Sequence, residues 1–235
     1  MSGRAVAIHQ PHYLPWLGYL AKLDRADCFV YLDTVQFEKN GWQNRNRIKT
    51  PQGTQWLTVP VRHHFGQTIA EVPIAEGEDW PRKHRQALTT HYGAAPHFAA
   101  AWPALETLYA ASWERLADLA VASVECVVRL LDIQRPTVRA SALGPLPDEP
   151  TERLVAICQR LEADTYLAGA LGPEYMDLDR FARAGVRVLV QAYRHPEYPQ
   201  RYGPFIPNLA ALDLLCNVGA DSLTVLRRGA AWRLP

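Results

Sequence analysis

Residues 5–9 (Ala-Val-Ala-Ile-His) form a short apolar run ending on a polar side chain, the pattern of a buried strand. Pro11 and Pro15 break the run, and residues 16–23 then place apolar groups at helical spacing. A second apolar run, residues 28–32, stops at Asp33. Strand, short helix and strand in about thirty residues predict a βαβ unit and therefore a parallel sheet covered by helices. Ligands collect at the carboxyl ends of strands in such sheets, so His9-Gln10 and Asp33 fall where chemistry is expected.

Two strand-like runs, residues 42–48 and 55–61, flank Thr50-Pro51-Gln52-Gly53 and predict a hairpin. Residues 80–133 read as helical: 80–92, a segment after Pro96, and a long helix from about Ser112. Residues 136–150, with four prolines and Gly144, form the best candidate linker. A second αβαβ stretch follows: a helix over 151–161, a strand over 165–167, a helix over 178–184 closed by Gly185, and a strand over 186–190. Asn208 is expected to cap a last helix over 209–217, ended by Gly219. The expected fold is α/β, with a Rossmann-like or HUP-like parallel-sheet core, an inserted β-hairpin and a helical segment. The organisation is a single domain over 1–235: a βαβ unit plus basic hairpin (1–62), a helical segment (80–135) and a second α/β half (150–235).

Composition narrows the function. Hydrophobic residues make up 48% of the 235 and charged residues 21%, an ordinary globular balance. The net charge of +1 is too even for an electrostatically driven nucleic-acid binder, so nucleic acid is not expected as a partner. The apolar stretch 116–133 is interrupted by Asp118, Glu125, Arg129 and Asp132 and does not read as a membrane span. The first nine residues reach His9 with no room for a signal-peptide core. Four widely spaced cysteines without a CxxC pair argue against a zinc site of that kind. A cytoplasmic protein with reduced, mostly buried thiols is expected, with no metal and no cofactor.

Three clusters could carry chemistry. His9-Gln10-Pro11-His12-Tyr13 lies at a strand end and offers His9 as an acid or base. Residues 33–50 run from Asp33 through Gln36, Lys39, Trp42, Asn44, Arg45, Asn46, Arg47 and Lys49, with four cations and no acid between Lys39 and Lys49. Strand alternation there sets Asn44, Asn46 and Ile48 on one face, and Arg45, Arg47 and Lys49 on the other. The cationic face suits phosphate or carboxylate. The third cluster leaves a strand at Gln191 and carries His195 and Tyr198 among rigid prolines. No GxSxG motif is present, and no cysteine sits beside a polar motif.

Together these residues resemble the WbqC-like family. The resemblance runs through His9-Gln10-Pro11, Tyr13 to Tyr19, Asp33, Val35-Gln36-Phe37, Lys39, Trp42 and Asn44 to Lys49. It continues through Trp56 to Val61, Thr151 to Leu154, Ala163 to Leu167, His195-Pro196, Tyr198 to Gln200 and Leu212 to Leu215. Members are associated with surface-polysaccharide clusters, where glycine transfer onto an amino sugar has been put forward, and with natural-product pathways. At His12 the family more usually has Asn, and at Cys216 an aromatic residue, so neither is expected to be catalytic. The resemblance implies an acyl or aminoacyl (glycyl) transferase that forms an amide on an amine substrate. His9 or His195 would be the base, and Asp33 its orienting carboxylate or the ammonium's anchor. Gln36, Asn44 and Asn46 would donate hydrogen bonds, and Arg45, Arg47 and Lys49 would hold a phosphate. Gln10, Tyr13, Lys39, Trp42, Gln191 and Tyr198 complete the expected substrate contacts. An acyl carrier protein is a candidate donor. The alternatives are an ATP-dependent nucleotidyltransferase or ligase, and a non-catalytic module that binds RNA or a carrier protein.

Overall fold

The computed structural model describes residues 3–235. β1 (Ala5–His9), α1 (Leu17–Arg25) and β2 (Cys28–Tyr31) form the expected βαβ unit. The hairpin follows as β3 (Arg45–Thr50) and β4 (Gly53–Thr58), then α2 (Trp80–Tyr92), α3 (Phe98–Ala110) and α4 (Leu116–Leu130). The second stretch comprises β5 (Thr137–Arg139), α5 (Pro150–Arg160), β6 (Thr165–Ala168), α6 (Leu178–Arg183) and β7 (Arg187–Gln191). The chain closes with α7 (Leu212–Val218), α8 (Ser222–Arg228) and β8 (Trp232–Arg233).

The main sheet has the order β5-β2-β1-β6-β7-β8, parallel except for β8. The chain steps outward from β1 to β2 and β5 on one side, then returns to place β6 and β7 on the other. The reversal between β1 and β6 is a topological switch point, the place where doubly wound sheets open a crevice. The pairing shows how it opens: β1 follows β2 as far as His9↔Tyr31 but pairs with β6 only through Ala7↔Leu167.

Strand alternation divides the core into two layers. Ala5, Ala7, Phe29, Tyr31 and Leu167 face α1, α4, α7 and α8. Val6, Ile8, Cys28, Val30, Tyr166 and Val188 face α5 and α6. His9 continues the Ala5–Ala7 parity, so its ring enters the α1/α4 layer.

Several boundaries differ from the sequence reading. The expected linker at 136–150 contributes an edge strand, because β5 finds β2 unpaired on that side and pairs with it from Phe29↔Thr137 to Tyr31↔Arg139. Trp42 precedes the hairpin strand instead of starting it, and the turn Pro51-Gln52 closes with Gly53 at φ 117°. The last expected helix begins at Leu212, after Asn208 has adopted φ 59° and taken the chain out of helical geometry.

Candidate functional site

His9 packs edge-on against His12 and Tyr19, with ring centroids 4.7 and 4.8 Å away, and His12 stacks on Tyr19 at 4.9 Å. His9 Nδ1 lies 3.2 Å from the carbonyl oxygen of Gln10. A neutral ring therefore carries its proton on Nδ1 and presents Nε2 as a lone pair. Burial, then the charges of Lys22 and His12, hold the His9 pKa well below 6.5, against the opposing pull of the Gln10 carbonyl. Burial and Lys22 lower His12 to about 3.

Lys22 sits in the buried layer, 2% exposed, and donates to the carbonyl of Ile8 at 3.2 Å. Burial draws its pKa down from 10.5 to about 7. The acid facing this cluster from α4 is Glu125, and its Oε1 already accepts from Tyr31 (2.6 Å) and Thr137 (3.0 Å). His12 Nδ1 and the Tyr19 hydroxyl are buried with no hydrogen-bond partner. Two imidazoles and an amine thus share a desolvated space at the end of β1, where burial opposes the charge of all three and Lys22 disfavours protonation of both rings.

Many of the polar residues around this end are engaged in holding it together. Leu14, at φ 47°, donates its N–H to Ser123 Oγ (3.0 Å) and accepts from Asn46 Nδ2 (2.5 Å). A non-glycine residue in this region is strained and needs such pinning. Asn44 Nδ2 donates to the Val59 carbonyl across the base of the hairpin, while Asn46, whose Oδ1 accepts from the Arg47 N–H, staples the hairpin to the loop after β1 through its bond to Leu14. The amide nitrogens of both are thus engaged within the protein, while Asn44 Oδ1 is buried without a hydrogen-bond partner. Asp33, fully buried, accepts from the N–H and hydroxyl of Ser141 at 2.9 and 2.7 Å. It clamps the segment after β5 and makes no hydrogen bond to His9. Tyr13 turns away into the helical layer, bonded to His84 Nδ1 (2.9 Å) and the Tyr109 hydroxyl (2.8 Å). Gln191 donates to the Gly18 carbonyl at 2.7 Å and fixes β7 to α1.

Lys49 also departs from the expected cationic face. The loop after β7 folds over it, and its ammonium donates to Gln200 Oε1 (3.0 Å) and the carbonyl of Pro204 (2.5 Å). Its N–H bonds the Tyr92 hydroxyl, which in turn donates to Asp213 Oδ1 at 2.9 Å. Asp213 Oδ2 is buried without a partner, and burial raises its pKa against the hydrogen bonds from Tyr92 and Tyr198 and the charge of Lys49. His195 lies on this same loop, boxed by Tyr193, Tyr198 and Phe205 with centroids 5.5–6.2 Å away. Its Nδ1 meets the Pro196 carbonyl at 3.0 Å and its Nε2 is buried and unpartnered. Burial lowers its pKa.

The groups left open to a ligand are fewer. Gln10 presents its amide beside Gln43, whose Nε2 donates to Gln10 Oε1 at 2.7 Å. Gln36, Lys39 and Trp42 are exposed, and Arg45 and Arg47 are half-buried on the outer face of β3. Backbone bonds gather the pieces: Tyr13 to Trp42, Ala210 to Arg47, and Ala211 to Pro15. Sequence reasoning passed over Lys22, Glu125, Gln43 and Trp56. Lys22 carried no signal of its own, because α1 is buried on every side from Leu17 to Leu23 only once its neighbours pack around it. A concavity of about 800 Å³ lies at the opposite, amino edge of the sheet, bordered by Asp27, Asp164 and Arg187, and contains none of these groups. Among the described residues no cluster of three or more His, Cys, Asp or Glu could hold a metal ion. Nor is any helix there long and apolar enough to cross a membrane.

The sheet order and the polar end of β1 define a doubly wound α/β protein with its candidate site at the switch point. Its family follows from comparison with known sequences. The family model of the WbqC-like protein family matches residues 10–225, and the chain belongs to that family. It is also 37% identical over 238 residues to Uncharacterized protein Rv1507c of Mycobacterium tuberculosis (strain ATCC 25618 / H37Rv), covering 95% of this chain and 98% of that relative. No solved structure matches the chain.

Proposed function

We propose that the protein is an amide-forming acyl or aminoacyl transferase whose base is His9. The observation that carries this reading is the His9 ring itself: its Nδ1 faces a carbonyl, its surroundings resist protonation, and among the described residues none hydrogen-bonds its Nε2. An amine arriving as an ammonium must lose a proton before it attacks an activated carbonyl, and an imidazole kept neutral at the working pH has its Nε2 lone pair available to take that proton as the step proceeds. In the step, the amine nitrogen forms a bond to the acyl carbon and the donor's C–O or C–S bond breaks. The leaving group departs with its electron pair, the first ammonium proton passes to His9 Nε2, and the second, shed as the amide forms, goes to the leaving thiolate or phosphate or to solvent. Gln10, next to His9 and with its Oε1 held by Gln43, has its amide nitrogen available for orienting the substrate, and Arg45 and Arg47 supply cations for an anionic portion. The four cysteines are buried, and burial pushes Cys158 and Cys216 up to about 12, which favours direct attack on a preactivated donor over an acyl-enzyme.

The test is incubation of the protein with an amino-sugar nucleotide and either an aminoacyl carrier-protein thioester or an aminoacyl adenylate, read by mass spectrometry. An amide product with wild type and its loss in His9→Ala is expected. Equal product from both proteins refutes the assignment of His9. A second reading, an ATP-using nucleotidyltransferase, draws on the histidine at the switch point. Calorimetric binding of Mg²⁺-ATP without amide formation would favour it.

A further inference from the structure

The outer face of the hairpin has a composition that packing does not account for. Trp42 is 37% exposed and Trp56 42% exposed, with their rings 5.6 Å apart. The Arg45 guanidinium lies over the Trp56 ring at 4.2 Å, and that of Arg47 lies 5.5 Å from Trp56 and 5.9 Å from Trp42. Register sets Trp56 opposite Arg47 and Thr58 opposite Arg45, so Arg45, Arg47, Trp56 and Thr58 share this face. The inner face, with Asn46, Ile48 and Leu57, is buried and supplies the hairpin's attachment to the body of the protein. The exposed tryptophans are therefore not needed to hold it.

The charges here are also unanswered. From Lys39 to Ala70 the chain contains no Asp or Glu. Among the described residues none of Lys39, Arg45 and Arg47 is in an ion pair. Arg45 gives one hydrogen bond, to the Asn40 carbonyl, and its Nε and that of Arg47 are buried without partners. An edge hairpin defended against aggregation needs only charge, and large exposed aromatics work against that purpose.

We propose that this face binds a nucleoside diphosphate, with the base stacked on the Trp42–Trp56 pair and the phosphates on Arg45, Arg47 and Lys39. Indole faces accept any nucleobase by stacking. A guanidinium lying flat on an indole turns its N–H edge outward, in the plane where a phosphate takes two parallel bonds. Three cations answer the charge of a diphosphate. A polynucleotide track demands more phosphate contacts than these three cations supply. The proposal rests on the transferase reading only for the ligand's role, as the handle of an amine substrate or an activated donor. Binding itself stands apart from turnover.

Calorimetric titration of the full chain with UDP, CDP, GDP and ADP tests the proposal, with inorganic pyrophosphate and a short single-stranded RNA as comparators. Saturable binding of at least one diphosphate is expected, weakened roughly tenfold or more by Trp56→Ala and by Arg47→Ala. Trp56 is exposed and Arg47 half-buried, and an unchanged circular dichroism spectrum confirms that each variant is folded. Absence of saturable nucleotide binding overturns the proposal. So does pyrophosphate binding as tightly as the nucleotides, since stacking would then contribute nothing. RNA binding more tightly than every mononucleotide, with a steep salt dependence, overturns it in favour of a polynucleotide surface. Failure of nucleotide binding leaves the transferase reading standing, and nucleotide binding without amide product refutes that reading alone.

Discussion

Lys22→Met removes the charge beside His9 while keeping an unbranched apolar stem of similar length. Lys22 is 2% exposed, and its ammonium donates to Ile8 O at 3.2 Å. Its pKa falls from 10.5 in the unfolded chain to about 7 in the folded one. Folding therefore releases a proton between pH 7 and 10.5. The penalty of burying this group is full below pH 7, shrinks as pH rises, and is gone above 10.5. At about 1.4 kcal/mol per unit, the shift is worth roughly 5 kcal/mol at neutral pH. Losing the bond to Ile8 offsets about 1 kcal/mol of any gain. Lys22→Met should thus be more stable than wild type by roughly 3–4 kcal/mol at pH 7, and about equal to it at pH 10. Urea denaturation at the two pH values measures the difference. A variant no more stable at pH 7, or one with the same offset at both pH values, refutes the account of a strained, desolvated lysine. A stabilised variant that has also lost activity marks Lys22 as a residue kept for function at the expense of the fold.

His9→Ala is expected to cut turnover by roughly 10²–10⁴-fold with the fold intact; the same loss in His195→Ala alone would move the base to His195. Gly18→Ala should destabilise the protein by about 1–3 kcal/mol in thermal denaturation, because its Cβ would collide with the Trp16 indole. Asp33→Ala leaves the Ser141 N–H and hydroxyl without their acceptor and should cost about 1–3 kcal/mol, with faster amide exchange at Ser141. Wild-type stability in that variant would return Asp33 to the list of candidate catalytic groups.

The parts of the fold legible in the sequence are those specified locally. β1, α1 and β2 show a change of period from strand to helix and back. α2 is bounded as expected because Asp79 caps it and Pro81 stands in its first turn. β5 and β8, of three and two residues, carry no local pattern and exist because β2 and β7 offer them an edge. The site divides along the same line. Strand alternation correctly faces Arg45 and Arg47 outward, and it puts Lys49 with them, but it contains nothing about the loop at 200–204 that covers Lys49. Asn44 and Asn46 look like ligand donors because asparagine is poor in strands. Asn44 finds Val59 only when the hairpin closes, and Asn46 finds Leu14 only when the hairpin docks. Lys22 shows the same limit from the other side: lysine reads as solvated until the helix face beneath it is known to be closed.

The central claim, that His9 stands at the switch point as a neutral base with Nε2 free, is tested most directly by titrating its ring with ¹⁵N NMR in the histidine-labelled protein, assigned by His9→Gln. The ring should remain the neutral Nδ1–H tautomer from pH 8 to well below pH 6.5. A His9 that protonates at pH 6.5 or above, or carries its proton on Nε2, contradicts the claim.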